Sequence, residues 1–390
     1  GDWHLRLRPL KIAWVQISHQ NLRLLAAVLG VAFAVILVLV QLGFSQALYD
    51  SSVRWHSALG YDLALISPKT TYIVNPPGFP RNRLYQTLGV PGVEAVTPVY
   101  ISIGKWRNPE NPLQTRNIYV MGFDPTDQGF SLIGEEEHIR ALRHPDRVLF
   151  DRLSRSEFGP VAEMWDAGEK VITEINGRDV SVVGMFELGT SFGIDGSIVT
   201  SDLNFRRIFP ERSASRIELG LIKVEPGVNP ELVQQNVEAS IPGDVRVLTR
   251  EQFIQHEVDY WAQSTPIGYV FGLGVAMGLA VGVIVVYQIL FSDVQDHLRE
   301  YATLKAMGYS NVFLGRIVLS EAFLLAVIGF IPGLGISLLV YGQASEATNL
   351  PMEMTPERGA QVLLLTVCMC AGSGLLALRK LRSADPAEVF

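Results

Sequence analysis

Two short patterns in the chain match arrangements that carry chemistry elsewhere. Gly189-Thr190-Ser191-Phe192-Gly193 fits G-x-S-x-G, the turn that presents a serine nucleophile between a strand and a helix. The residues that follow, Ile194-Asp195-Gly196-Ser197-Ile198-Val199, have turn and strand character, so the segment reads as a Gly-rich loop leaving a strand. His256-Glu257 opens an H-E-x-x-H zinc pattern, but Tyr260 stands where the second His is needed. His4, His19, His56, His138, His144 and His297 are scattered without ligand spacing. Cys368 and Cys370 sit two apart in an apolar run, where helical geometry points their side chains about 200° apart, so they do not pair with each other. No G-x-x-x-x-G-K-[ST] occurs, so any dependence on ATP has to come from a partner. The expectation is a chain with no catalytic residues and no metal or cofactor of its own.

The elements around these residues explain why. Hydrophobic residues make up 48% of the 390, charged residues only 18%, and the net charge is −7, which argues against disorder, an ordinary soluble globule and a nucleic-acid binder. The apolar excess is concentrated. Leu22 to Val40 contains a single charge, Arg23, at its edge, and about 19 residues at ~1.5 Å each reach across a bilayer core. Gln41-Leu42-Gly43-Phe44 follows in place of a small-residue cleavage site, so this is a retained anchor. Ile267 to Leu290, Val312 to Tyr341 and Gln361 to Leu378 are three further spans, the middle one interrupted at Pro332-Gly333. Arg6, Arg8, Lys11 and Arg23 precede the first span, Arg299 and Lys305 follow the second, and Arg379, Lys380 and Arg382 follow the fourth. Both termini and the 291–311 loop are therefore expected in the cytoplasm.

Residues 47–264 must then lie outside. They carry a net −8, whereas the rest of the chain carries +1. Short β-rich runs at 95–106, 116–123, 178–188 and 216–224 alternate with helical signals at 81–88, 201–209 and 230–240, which predicts a folded α+β domain. Thr249 and Gln252 form a capping-box pattern opening a helix toward the second span, and 45–59 extends the first helix. Two helical stalks are expected. The boundaries read as a cytoplasmic N-terminal segment 1–21, first span 22–46, outside domain 47–264, second span 265–290, cytoplasmic helix 291–311, third span 312–342, short outside loop 343–359, fourth span 360–378 and cytoplasmic tail 379–390. Within the spans, Gly274, Gly278 and Gly282 make a small-residue face for tight packing in the subunit or for a dimer contact. Arg316 and Glu321, near the start of the third span, read as a structural pair or as residues that transmit motion.

The loop between the second and third spans reads D-V-Q-D-H-L-R-E-Y-A-T-L-K-A-M-G-Y-S from Asp293 to Ser310, a short amphipathic helix with Gly308 as its C-cap and a handle for another protein. Its core, Leu298-Arg299-Glu300-Tyr301-Ala302-Thr303-Leu304-Lys305-Ala306-Met307-Gly308, with Glu321 and Gly329 beyond, resembles the coupling-helix signature of MacB/FtsX/LolC-type ABC permeases. The tail Asp385-Pro386-Ala387-Glu388-Val389-Phe390 resembles the ending of the same superfamily. Ala13-Trp14, Leu29 to Val35, Gln41 to Phe44, Gly189 to Asp195 and Asp202 to Phe205 are similar to DevC, the cyanobacterial permease of the DevBCA exporter.

The resemblance implies a membrane protein of four transmembrane α-helices in a one-plus-three arrangement, in the inner membrane of a cyanobacterium or similar bacterium, with a large α+β periplasmic domain between helices one and two. It implies mechanotransmission as a homodimer. A separate DevA-like ATPase dimer, holding ATP and Mg, would move the coupling helix (Leu298, Arg299, Glu300, Tyr301, Thr303, Leu304, Lys305, Ala306, Met307, Gly308). The periplasmic domains would then drive an amphiphilic, glycolipid-like substrate into a DevB-like membrane-fusion adaptor and a TolC-like outer-membrane channel. The alternatives within the resemblance are an FtsX-like regulator of a cell-wall hydrolase, which transports nothing, and a LolC/LolE-like lipoprotein-extracting permease.

Overall fold

The computed structural model describes residues 21–126, 134–299, 303 and 310–382. The chain forms two compact units. One holds residues 47–266 with 348–351, and the other the remaining helices.

In the membrane unit, four described helices are long and apolar enough to cross a bilayer. Helix α1 is Asn21–Ala58, uninterrupted; its side chains from Leu22 to Phe33 alternate between an exposed apolar stripe (Leu22, Leu25, Leu29, Phe33) and a buried one (Ala27, Val31, Ala34). An apolar outer stripe is the arrangement lipid favours and water does not. The other three are α8 (Pro266–Asp296), α9 (Asn311–Thr348) and α10 (Pro356–Arg382). Pro332 lies inside α9, which continues through it. Val31, Val35, Val286, Leu290, Ala322, Ala326, Val362 and Met369 meet in one core shared by all four helices.

The domain of residues 47–266 is built on a mixed sheet of nine strands. Strands β1 (Leu63–Ile66), β3 (Val93–Arg107), β10 (Leu219–Val224) and β11 (Arg246–Thr249) lie in the order β11-β1-β10-β3, all antiparallel. Helix α2 (Asn82–Gln86) joins β1 to β3 and α6 (Pro230–Ser240) joins β10 to β11, giving a β-α-β-β-α-β unit. The insertion between β3 and β10 supplies the rest. Strand β3 is 15 residues long: its first half pairs with β10 and its second half with β4 (Thr115–Phe123). From β4 the sheet continues through β8 (Ser197–Ser201), β5 (Arg147–Asp151), β7 (Arg178–Phe186) and β6 (Ile172–Ile175). It then returns to β3 where Trp106 pairs with Ile175. Six strands thus close into a small barrel, which removes its open edges. Trp106 is fully buried at the closure, and its indole N–H donates to the Phe158 carbonyl at 2.9 Å.

Small helices punctuate the insertion: α3 (Glu136–Ala141), α4 (Val161–Asp166) and α5 (Asp202–Ile208), the last capped by Ser201 accepting from the Asn204 N–H. The two-residue strands β2 (Phe79–Pro80) and β9 (Arg216–Ile217) pair separately. Helix α7 (Arg250–Gln263) opens with the Thr249–Gln252 capping box complete in both directions, at 3.2 and 3.1 Å.

Candidate functional site

The Gly-rich loop 188–194 is held by a buried carboxylate. Asp151, at the end of β5, has no exposed surface. Its Oδ1 accepts from the Leu153 and Leu188 amides at 3.1 and 3.0 Å, and its Oδ2 from the Gly189 amide at 2.8 Å and the Ser197 hydroxyl at 3.0 Å. Burial pushes this carboxyl above the usual range, and the four donors pull it back. Within the same unit, Arg54 Nη1, near the end of α1, donates to the Leu188 carbonyl at 3.2 Å. Gly189 has φ +87°, and a Cβ there would collide with the Arg54 guanidinium, so only glycine serves. Farther along, Thr190 Oγ1 donates to the Thr348 carbonyl at 3.3 Å, and the Phe192 ring stacks on Trp261 of α7 at 5.1 Å. One seven-residue loop thus touches the last turns of α1, helix α7 and the end of α9.

Ser191 sits within that clasp. Its amide closes a turn to the Ile194 carbonyl at 2.9 Å, and the chain passes into β8 with no helix after the serine, so the nucleophile-elbow geometry is missing. His256 and Glu257 serve the same joint from α7. The Glu257 carboxyl, 1% exposed, accepts from the Ile73 amide at 3.0 Å and from Trp261 Nε1 at 2.9 Å, and His256 Nε2 lies 3.0 Å from the Thr70 carbonyl. Burial pushes Glu257 up to about 7, against the pull of its two donors. Tyr260 stacks flat on Tyr72 at 4.5 Å. The pattern that imitates a zinc motif is thus spent on fastening the 70–73 segment to α7.

Of the expected coupling helix, Leu298 is half-buried, Arg299 is exposed, and Thr303 Oγ1 donates to the Arg299 carbonyl at 2.9 Å, one helical turn back. Glu300, Tyr301, Leu304, Lys305, Ala306, Met307 and Gly308 lie outside the described residues. In the membrane unit, Gly278 and Gly282 are buried on α8 against α1. A Cβ on Gly278 would lie 3.2 Å from Leu37 Cβ, and one on Gly282 2.8 Å from Ala34 Cβ. A Cβ on Gly274 would meet the Gln41 amide at 2.6 Å. Gly274 and Gly278 therefore face α1 of the same chain and Gly282 faces both α1 and Met369 of α10, so the close approach they permit is internal.

Residues 24–240 match the family described as the MacB-like periplasmic core domain, and residues 272–386 match the FtsX-like permease C-terminal domain. The chain belongs to the MacB/FtsX-like ABC permeases. Solved structures similar to the permease include the extracellular domain of the noncanonic ABC-type transporter YknZ from Gram-positive bacteria, at 13% identity and TM-score 0.33, covering 48% of this chain and 98% of that one. The periplasmic region of MacB from Actinobacillus actinomycetemcomitans is similar at 14% identity and TM-score 0.34, covering 51% and 94%. A domain of a putative permease from Porphyromonas gingivalis is similar at 14% and 0.29, covering 50% and 89%. No curated protein matches the chain. The permease is thus a multi-pass membrane protein with a periplasmic domain between its first and second spans, from a family that works with ABC ATPase partners and is not itself the ATPase.

One expectation for the permease is corrected. Arg316 and Glu321 are not a structural pair: Arg316 is exposed and Glu321 is 3% exposed, and five residues along a helix place them about 140° apart. The Glu321 carboxyl lies instead within hydrogen-bond reach of Asp293 on α8. Asp151, Arg54, Glu257 and Asp293 were missed as site residues by sequence reasoning. A lone acid beside a β-rich apolar run, as in Leu149-Phe150-Asp151, is the one local signal that could have found the first of them.

Proposed function

We propose that this permease is the transmembrane subunit of a tripartite ABC exporter of the DevC type, and that it converts the motion of a separate ATPase into movement of its periplasmic domain. Two copies would pair in the inner membrane. The coupling segment around Leu298 to Gly308 would sit on a DevA-like ATPase dimer that supplies ATP and Mg. The periplasmic domains would press an amphiphilic, glycolipid-like substrate into a DevB-like adaptor and a TolC-like channel. The observation that carries this reading is the single helix Asn21–Ala58, whose first half has the composition of a span and whose last turns hold the 188–194 loop through Arg54 donating to the Leu188 carbonyl. A helix without a break passes on tilt and translation that a flexible tether would absorb.

Co-purification from native membranes tests the reading. A separate ATPase and an adaptor are expected to come with the permease, and Leu304→Asp or Ala306→Asp is expected to release the ATPase while the adaptor stays. Failure to recover any ATPase, or unchanged ATPase binding in both variants, refutes the coupling role. Recovery of a peptidoglycan hydrolase in place of an adaptor points to the FtsX-like regulator, and ATP-dependent release of lipoprotein to the LolC/LolE-like one.

A further inference from the structure

The membrane unit buries two acids where charge is expensive. Asp293, near the end of α8, is 6% exposed, and Glu321, three turns into α9, is 3% exposed. Their carboxyls lie within hydrogen-bond reach of each other. Asp293 Oδ1 has His297 Nδ1 at 3.4 Å, and that same nitrogen lies 2.9 Å from the Asp293 carbonyl oxygen. What remains is Asp293 Oδ2 and Glu321 Oε2, both buried and both without a donor. The other charges around the pair are Arg23 of α1 and its ion-pair partner Asp296 of α8.

Ionised carboxylates only accept hydrogen bonds. Two of them face to face would repel in a low-dielectric interior and leave both oxygens unsatisfied. A single proton turns that clash into one O–H···O⁻ bond, the short, charge-assisted class, and satisfies both orphaned oxygens with one atom. A metal ion would be the other solution, but among the described residues no group of three His, Cys, Asp or Glu side chains is placed to hold one.

We propose that Asp293 and Glu321 share one proton, and that their hydrogen bond clamps α8 to α9 across residues 297–310, so that a push on that segment moves both spans together. They act as positioning residues, and this role rests on the coupling function proposed above. With the clamp intact, the segment hangs from two helices fixed at its two ends. With it broken, each helix can yield separately and the push is lost before it reaches the periplasmic side.

Infrared difference spectra of the full permease in lipid, read at the C=O stretch of protonated carboxylic acid, test the proton directly. Asp293→Asn and Glu321→Gln are each expected to shift one band, the remaining buried acid keeping the proton, and the double variant to remove a single band, because the two residues hold one proton between them. No band lost in the double variant, or two bands lost in it, overturns the shared proton. The clamp is read with the bound ATPase. Asp293→Asn and Glu321→Gln, whose amides restore the hydrogen bond to the remaining carboxyl group, are expected to keep ATP-driven activity within about twofold, whereas Glu321→Leu lowers it about tenfold with ATPase binding unchanged. Full activity in Glu321→Leu, or a Glu321→Gln as impaired as Glu321→Leu, overturns the clamp. If the wild-type permease binds no ATPase at all, the coupling function fails, while the infrared pattern still decides the shared proton.

Discussion

Replacing Asp151 by Asn should loosen the 188–194 clasp and little else. The carboxylate receives four donors, two on each oxygen. An amide keeps one acceptor oxygen and puts an NH2 group where the other stood. The less costly orientation turns the NH2 toward Ser197, whose hydroxyl can rotate to accept, and leaves the Gly189 amide without an acceptor. A hydrogen bond to a charged group contributes about 1.5–3 kcal/mol, and burial already taxes the ionised Asp151, so a loss of about 2 kcal/mol is expected at the loop. That corresponds to roughly 30-fold faster local opening. Hydrogen exchange of the intact permease reads it directly at the Gly189 amide, with the Leu188 amide less affected because its acceptor oxygen survives. Ser197→Ala is the control: it removes a neutral donor, costs about 1 kcal/mol, and should leave Gly189 protected. Unchanged Gly189 exchange in Asp151→Asn, or equal acceleration in Ser197→Ala, would refute the claim that the carboxylate holds the loop.

Three further outcomes follow from the geometry. Glu257 has a folded pKa of about 7 against an ordinary 4.5, so between these values the folded state binds its proton more tightly than the unfolded state does, and stability falls as pH rises through that window, by at most about 3 kcal/mol; urea midpoints against pH should show this slope, and Glu257→Gln should flatten it. Gly282→Ala places a Cβ against Met369 and Ala34 and should cost about 1–3 kcal/mol in detergent unfolding, whereas Gly272→Ala, with nothing within 4 Å, should cost nothing measurable. Ser191→Ala should leave ATP-driven activity at the wild-type level, and its loss would reopen the hydrolase reading.

The parts legible in the sequence were those with a local period or cap. Four apolar windows specified the spans, alternation marked β7, and Thr249 with Gln252 marked the start of α7. Strand β1 was passed over because every residue in it is buried, so no alternation exists to be read. The closure of the barrel at Trp106 and Ile175 joins positions 69 residues apart, and no local pattern encodes it. The acids of the site were hidden for the same reason: Asp151 finds its donors 37 to 46 residues away at Leu188, Gly189 and Ser197, and Asp293 meets Glu321 across the coupling segment.

By itself the sequence determined that this chain is a membrane protein and that its acidic middle folds outside. Those properties follow from summed hydrophobicity and from the distribution of cations, and neither depends on which residues finally touch. The tertiary structure decided what each polar residue does. It turned a hydrolase-like pattern into a loop clasp and a zinc-like pattern into a joint, and of the two readings of Arg316 and Glu321 it removed the pair, setting Glu321 beside Asp293 instead. The physical reason is that a buried polar group takes its role from the donors and acceptors that folding brings within about 3 Å, and for these residues nearly all of them come from distant parts of the chain.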